Sequence, residues 1–562
     1  MKQFITRRSF IKAAGAATAL TAVSVGAPAA FAEETNCFFG DKADVTILYT
    51  NDVHTYIDNK SPKPTYAAIA ALKKSIEDTG RDVLLVDAGD HIQGTAYGSM
   101  DDGATIIELM NEAGYDLATP GNHEFDYGMA RAKAVLQEAD FPYVSCNWVD
   151  LRTGFNVLPS VKFFFVGGRK IAFVGVTTPE TFTKSTPAYF MNDAQTKYIY
   201  DILGGEDGQK LYDAVQKAID KAEFWGADTI IGLGHLGVDP SSSPWTSEEV
   251  IAHTHGFTAF IDGHSHSTLE EIKEATNGTG KVGDTVLTST GTKLANVGMV
   301  DISPDGTIST SSLATSELTV TPDAKVAARA EEIQKEIDAD YGTVFAKTEV
   351  ALDGEKANVR TGETNLGDLC ADAYRTVLGA DIAFVNGGGI RASVPAGEIT
   401  MNDLYTVFPY GNTVALVTIT GEQLLEVLEA STFCTPTAIG GFPQIAGAEY
   451  TVNTAVPYEN GAQYPDSTYY APANPGSRVT ITSIGGKPFD PKANYTVAVN
   501  SFQAEGGDTY YVLTQGSYMQ DTGIVDAEAL ISYVDSLGGV IDETYAEPQG
   551  LSLIHISEPT RH

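Results

Sequence analysis

Apolar runs alternate along the chain with polar, glycine-bearing breaks. From Asp44 onward, Val45-Thr46-Ile47-Leu48-Tyr49 reads as a strand, a helix is predicted from near Pro64 to Asp78, and Val83-Leu84-Leu85-Val86 reads as the next strand. Further strands are predicted at Asp116-Leu117-Ala118, Ile171-Ala172-Phe173-Val174, Thr229-Ile230-Ile231 and Ala259-Phe260-Ile261. Helices between several of these runs imply an α/β domain whose sheet is covered by helices. In such domains the chemistry collects at strand ends.

Near Asp323 the texture changes. Val326, Ala330, Ile333 and Ile337 recur at spacings of four, three and four, which is one apolar face of a helix and suits a connector. A second α/β region follows, with a glycine-, proline- and tyrosine-rich insert at 435–477 that reads as long loops. The expected division is a catalytic domain at 42–322, a helical linker or hinge at 323–349 and a second domain at 350–550.

The ends carry different signals. Thr6-Arg7-Arg8-Ser9-Phe10-Ile11-Lys12, an Ala-rich apolar stretch to Val25 and Ala30-Phe31-Ala32 together read as a cleavable twin-arginine export signal over residues 1–32. The mature chain is then expected in the periplasm, on the cell surface or secreted. No later run approaches the roughly 18 apolar residues of a transmembrane span. From Leu551 the sequence Leu-Ser-Leu-Ile-His-Ile-Ser-Glu-Pro-Thr-Arg-His resembles a translated sequencing adapter, and 551–562 is set aside as a non-native tail.

Composition narrows the partners. A net charge of −37 repels polyanions, so no nucleic-acid partner is expected, although local cations can still draw in a small phosphate ester. Four cysteines, at 37, 146, 370 and 434, are too few for a disulfide scaffold. Cys146 and Cys370 read as buried thiols, and a bridge from Cys37 or Cys434 stays open. Oligomeric state has no signature.

The chemistry-bearing residues sit just after the predicted strands: Asp52-Val53-His54, Gly89-Asp90, Gly121-Asn122-His123-Glu124, Gly234-His235 and Gly263-His264-Ser265-His266. Residues two apart in an extended segment share a side, and the glycines let the backbone turn so that the side chains converge. Five of the eight histidines before Leu551 lie in these clusters.

This ordered set, D-x-H, G-D, G-N-H-[DE], G-H and G-H-x-H, resembles the calcineurin-like metallophosphoesterases. The resemblance implies a four-layer α/β/β/α sandwich and two divalent metal ions. Asp52, His54, Asp90 and His266 would hold one ion, and Asp90, Asn122, His235 and His264 the other. An oxygen-and-nitrogen ligand set fits Zn, Mn, Fe or Co. By the same resemblance His123 is the catalytic group over the leaving oxygen and Asp126 its orienting carboxylate. The residue-level alternative for Asp126 is a cap on the helix starting near Gly128. His91 is placed beside the ligands, and His253 and His255 outside the site.

The C-terminal half, α/β as well, resembles the substrate-binding domain of 5′-nucleotidases at Asn365-Leu366-Gly367-Asp368, at the segment from Phe384 to Arg391, and at Asn500 to Asp508. That match implies Arg360 and Arg391 on phosphate, Asn386 on the nucleoside, Tyr410 and Phe502 around the base, and Asp508 on ribose hydroxyls. The activity implied is hydrolysis of nucleoside 5′-monophosphates, with di- and triphosphates and nucleotide sugars open. One alternative is a 2′,3′-cyclic phosphodiesterase with 3′-nucleotidase activity, which Asp126 disfavours. Another, of a different class, is a catalytically silent surface nucleotide-binding protein. A sulfur-compound hydrolase of the same superfamily is disfavoured by the aromatic pair and the arginines.

Overall fold

A computed structural model describes residues 42–555 except 58–64, 100, 193, 195 and 466. The export signal and Cys37 lie outside the described residues.

The strand Val45–Thr50 shows how the first domain is layered. Val45, Ile47 and Tyr49 point into a core shared with Ile171, Phe173, Ile231 and Ile261, whereas Leu48 points to the opposite side, against Ile69, Ile106 and Ile333. A strand buried on both faces needs apolar residues throughout, which is why this run reads as continuous rather than alternating. Val45–Thr50 pairs parallel with Asp82–Asp87 and antiparallel with Asn296–Ile302 in a five-stranded sheet. A six-stranded sheet contains Arg169–Thr177, Thr229–His235 and Ala259–Ile261, mutually parallel. The two sheets face each other across the shared core. Helices Thr65–Glu77 and Ala104–Ala113 cover the outer face of the first sheet, and Gln209–Phe224 that of the second. The four-layer α/β/β/α arrangement expected from the sequence is therefore present.

The helix Ala324–Tyr341 buries Val326, Ala330, Ile333 and Ile337 in the outer core of the first sheet, so its apolar face completes the first domain. Three residues on, Val344–Thr348 is already paired with Gly397–Thr400 and Val540–Ile541 of the second domain. The chain thus changes domain between Tyr341 and Val344.

A five-stranded mixed sheet organises the second domain, with Ile382–Asn386 and Asn494–Asn500 parallel at its centre. Helices Asn365–Leu378 and Asp526–Ser536 pack on one side and Gly421–Ser431 on the other.

One expectation needs correction. The insert 435–477 is not all loop, because Pro443–Ala446 and Ala448–Asn453 join sheets and Asn460–Gln463 pairs with Tyr470–Pro472. Its tyrosines and glycines serve short paired strands as readily as turns, which composition does not separate. The segment set aside from Leu551 is drawn into the fold as far as His555. Ser552–His555 adds parallel to Ala448–Asn453, and the Glu363 carboxylate accepts the backbone N–H groups of Gly550, Leu551 and Ser552 at 2.6, 3.1 and 2.6 Å. A free strand edge and three unpaired N–H groups supply the reason. Among the described residues, Cys146, Cys370 and Cys434 are free thiols, the first two buried, and no helix is long and apolar enough to cross a membrane.

Candidate functional site

The strand ends of the two first-domain sheets meet at one floor. Asp52, His54, Asp90, His264 and His266 all have left-handed backbones, with φ of 49, 49, 60, 77 and 60°. Non-glycine residues are held there at a cost of about 1–3 kcal/mol each, and such strain clusters where function requires it. Gly121 has no room for a side chain, since a Cβ would collide with Asp90 Oδ1 and His235 Nε2.

The side chains converge as a metal site requires. His54 Nε2 and His266 Nε2 are 3.1 Å apart, His266 Nε2 is 3.5 Å from Asp52 Oδ1, and His235 Nε2 is 3.0 Å from Asp90 Oδ2. Potential ligand atoms of Asp52, His54 and His266, and of Asp90, His235 and His264, each lie within 4.8 Å of one another. Buried Asn122 Oδ1 has no hydrogen-bond partner among the described residues. Burial, with neighbouring cations, pushes His54 and His266 well below the usual imidazole range, so both rings are neutral lone-pair donors. Burial pushes the Asp52 carboxyl up to about 7, whereas the His235 and His123 rings outweigh burial at Asp90 and hold it well below its usual range. Crowded nitrogen and oxygen acceptors with an orphaned amide oxygen fit divalent cations.

Outer contacts fix these candidate ligands in place. His54 Nδ1 faces the Gln93 carbonyl at 3.0 Å and His235 Nδ1 the Ala88 carbonyl at 2.7 Å, each leaving Nε2 for the centre. His264 Nε2 meets Glu180 Oε2 at 2.8 Å, and Ser242 donates to the same oxygen at 2.6 Å. The buried Glu124 carboxylate accepts from the N–H groups of Asp90, His91 and Gly121, tying two ligand loops together. His91 is buried behind this frame between Asp87 and Tyr143, at 2.9 and 2.7 Å. His253 and His255 are exposed and remote.

His123 occupies the wall above the floor. Its Nδ1 is 2.5 Å from Asp126 Oδ2, and its Nε2 is 3.9 Å from Asp90 Oδ2. The helix Gly128–Glu138 has no side-chain cap, so Asp126 serves the imidazole and not the helix. Burial would lower the His123 pKa, but the Asp126 and Asp90 carboxylates outweigh it and hold the ring above its ordinary value.

The second domain supplies the facing wall. Arg360, Asn386, Arg391, Tyr410, Phe502 and Asp508 line one cleft together with Asp90, Asn122, His123, Asp126, His264 and His266. Arg360 Nε is buried without a partner among the described residues, and burial with the adjacent Arg391 lowers its pKa to about 10. Arg391 reaches 3.5 Å from His54 Nε2 and lies over the Tyr410 ring at 5.8 Å. The Tyr410 ring is 5.5 Å from that of His123. Asn386 accepts from Asn500 at 3.0 Å and donates to Asp508 at 3.3 Å.

Four lining or supporting residues escaped sequence reasoning. Lys356 lies one helical turn before Arg360, a spacing that could have been noticed. Desolvation in the cleft, then the Arg360 and Arg391 charges, push its ammonium down to about 7, although much of the side chain stays exposed. Glu180, Lys184 and Tyr469 carry no local signature.

Residues 45–268 match the model of the calcineurin-like phosphoesterases, and residues 344–515 that of the 5′-nucleotidase C-terminal domain. The fold and floor thus define the class, a phosphoesterase domain joined to a nucleotidase-type second domain. The chain belongs to the 5′-nucleotidase family of phosphoric monoester hydrolases. It is 29% identical over 551 residues to the trifunctional nucleotide phosphoesterase protein YfkN of Bacillus subtilis, covering 89% of this chain but only 34% of that longer protein. It is 26% identical to protein UshA of Escherichia coli, over 90% of this chain and 93% of UshA. The crystal structure of a 5′-nucleotidase precursor from Thermus thermophilus superposes with a TM-score of 0.74 at 27% identity, covering 92% of this chain and all of that one.

Proposed function

We propose that the chain is an exported, metal-dependent 5′-nucleotidase that converts nucleoside 5′-monophosphates to nucleoside and phosphate. The observation that carries this reading is one cleft in which an Asp/His cluster fit for cations faces two guanidiniums and two aromatic rings. Asp52, His54, Asp90 and His266 would hold one divalent ion, and Asp90, Asn122, His235 and His264 a second. Two divalent ions held there, whether Zn, Mn, Fe or Co, would supply Lewis-acid polarisation of the phosphoryl oxygens and a water activated near neutral pH.

The chain's own residues do the rest. Arg360 and Arg391 present planar donor forks to the phosphoryl oxygens, with Lys356 as a third cation. Tyr410 and Phe502 offer ring faces to the base, and because every base has a π-face this clamp tolerates any of them. Asn386 and Asp508 take the nucleoside. His123, fixed at Nδ1 by Asp126, turns Nε2 to the leaving oxygen and donates a proton or stabilises charge there. Residues 340–350, where the chain changes domain, serve as the hinge on which the second wall opens, so that closure or product release limits turnover. The twin-arginine signal accounts for export.

The test is phosphate release from AMP, 3′-AMP, 2′,3′-cyclic AMP, ATP and UDP-glucose, with added Mn or Zn and with chelator. Fast, chelator-sensitive release from AMP is expected. Preference for the 3′ and cyclic substrates would replace this reading with the phosphodiesterase one. Tight binding without release would leave a nucleotide-binding protein.

A further inference from the structure

One short turn of the first domain touches both ends of the cleft. Thr181–Lys184 begins directly after Glu180, whose carboxylate receives His264 and Ser242 at the floor. At its other end Lys184 crosses to the second domain. Its Nζ donates to Asp508 Oδ1 at 3.0 Å and to the Tyr469 hydroxyl at 2.8 Å, and it lies 5.4 Å from the centre of the Tyr469 ring. The residue before it takes part as well, because the Asp508 N–H donates to the Thr183 carbonyl at 2.9 Å. Asp508 is itself held in a left-handed conformation, φ 49°.

The pair is built rather than casual. Asp508 is 3% exposed and the Lys184 side chain about one fifth exposed. Burial would strip the Lys184 proton, yet Asp508, Tyr469 and Glu180 together hold its pKa well above the usual range. A buried pair of this kind gives little net stability and is costly to break, so its value lies in geometry. The geometry is specific. Lys184 occupies Oδ1 of Asp508, while Oδ2 is met by the Asn386 amide at a long 3.3 Å and faces the cleft beside Gly440, where even a Cβ would stand 3.3 Å away. One carboxylate oxygen is pinned, and the other is left for a hydroxyl.

We propose that Lys184 is a positioning residue: supplied by the catalytic domain, it pins Asp508 of the second domain in the orientation that receives the hydroxyls of a pentose, so that preference for a nucleotide over a simple phosphate ester depends on an ion pair between the domains. This rests on the nucleotidase reading only in placing the pentose at Asp508. Lys184 touches no reacting atom, so the pentose-bearing substrate loses binding when the pair is broken and the phosphoryl chemistry does not.

The experiment compares wild type, Lys184→Met and Lys184→Arg on AMP and on 4-nitrophenyl phosphate, which has the phosphate but no pentose. Lys184→Met is expected to lower kcat/KM for AMP by about 10- to 100-fold through KM, the range of a lost charge-assisted hydrogen bond, and to change 4-nitrophenyl phosphate by less than about threefold. Lys184→Arg is expected to restore part of the AMP loss. Equal losses on both substrates would show a merely structural lysine, and no loss on either would show an idle one. Either result overturns the proposal. Thermal midpoints of Lys184→Met, Asp508→Asn and the double variant test the pair without substrate, and additive effects would also overturn it. A wild-type chain with no preference for AMP over 4-nitrophenyl phosphate would instead sink the nucleotidase reading and the pentose role with it, while the midpoints still decide whether the pair couples the domains.

Discussion

On the first-domain side of the cleft the side chains come from strand-end loops, five of them on residues with positive φ, and they present nitrogen and oxygen acceptors. On the second-domain side Arg360 ends a short helix at φ −102° and Asn386 leaves a strand at φ −68°, both unstrained, only Asp508 of the proposed substrate residues stands at positive φ, and the two guanidiniums are cationic. Backbone strain can persist only where the surroundings over-determine it, and here two packed sheets, the Glu124 carboxylate and the absent side chain at Gly121 do so. The first wall is therefore a fixed frame fit for cations. The second, strained only at Asp508 among the proposed substrate residues, brings donors for an anion. A phosphate ester held between them in the proposed way would meet positive charge from both sides.

The sharpest way to test that division is to remove one residue from each wall. His123→Ala is expected to lower kcat by about 100- to 10,000-fold with little change in KM, the loss of a group acting in the transition state. Arg360→Ala or Arg391→Ala is expected to lower kcat/KM by about 10- to 100-fold, mostly through KM, because the second wall binds. Steady-state kinetics on AMP reads both. The comparison breaks if the arginine variants lose kcat as His123→Ala does, for then the second wall takes part in the chemistry.

Asp126→Asn makes a smaller cut in the first wall, and its sign is fixed. Asp126 and Asp90 hold the His123 pKa above its ordinary value against the opposing effect of burial. Removing one of these charges lets the imidazole release its proton at a lower pH. If the protonated ring serves the leaving oxygen, the alkaline limb of the kcat profile moves to lower pH, with a loss of about tenfold or less on its acidic side. An unmoved limb would show that this proton is not the one the reaction uses.

How far each wall was legible in the sequence follows from the same contrast. Every proposed ligand stands beside a glycine or two residues from another ligand at a strand end, so spacing alone marked the floor, and the fold delivers all of them to one place. The second wall has no such spacing. Arg360, Asn386, Arg391, Tyr410, Phe502 and Asp508 are scattered over the domain and were legible only through family resemblance. The supporting residues were not legible at all, because their partners are distant in sequence. Glu180 meets His264 across 84 positions, and Lys184 meets Asp508 across 324. Local pattern also misjudged the insert 435–477, two of whose strands pair with partners outside it.

Buried carboxyl groups carry the comparison to its last and smallest effect on activity. Asp90 is surrounded by imidazoles, but Asp526 of the second domain, 1% exposed, has only the Ala527 N–H at 2.8 Å among the described residues, and burial pushes its pKa up to about 8. The unfolded chain releases this proton near pH 4. Between about pH 4 and 8 the folded state therefore holds a proton that the unfolded state lacks, so this group's contribution to stability is full below that window and is lost as pH rises through it. Asp526→Asn keeps the shape and removes the ionisation. Its thermal midpoint should match wild type at pH 4 and exceed it by a few degrees, on the order of 1–3 kcal/mol, at pH 8, with kcat unchanged at either pH. A difference independent of pH would mean that Asp526 titrates alike in the folded and unfolded chain, and a loss that grows with pH would mean that its carboxylate is ionised and partnered as that of Asp90 is.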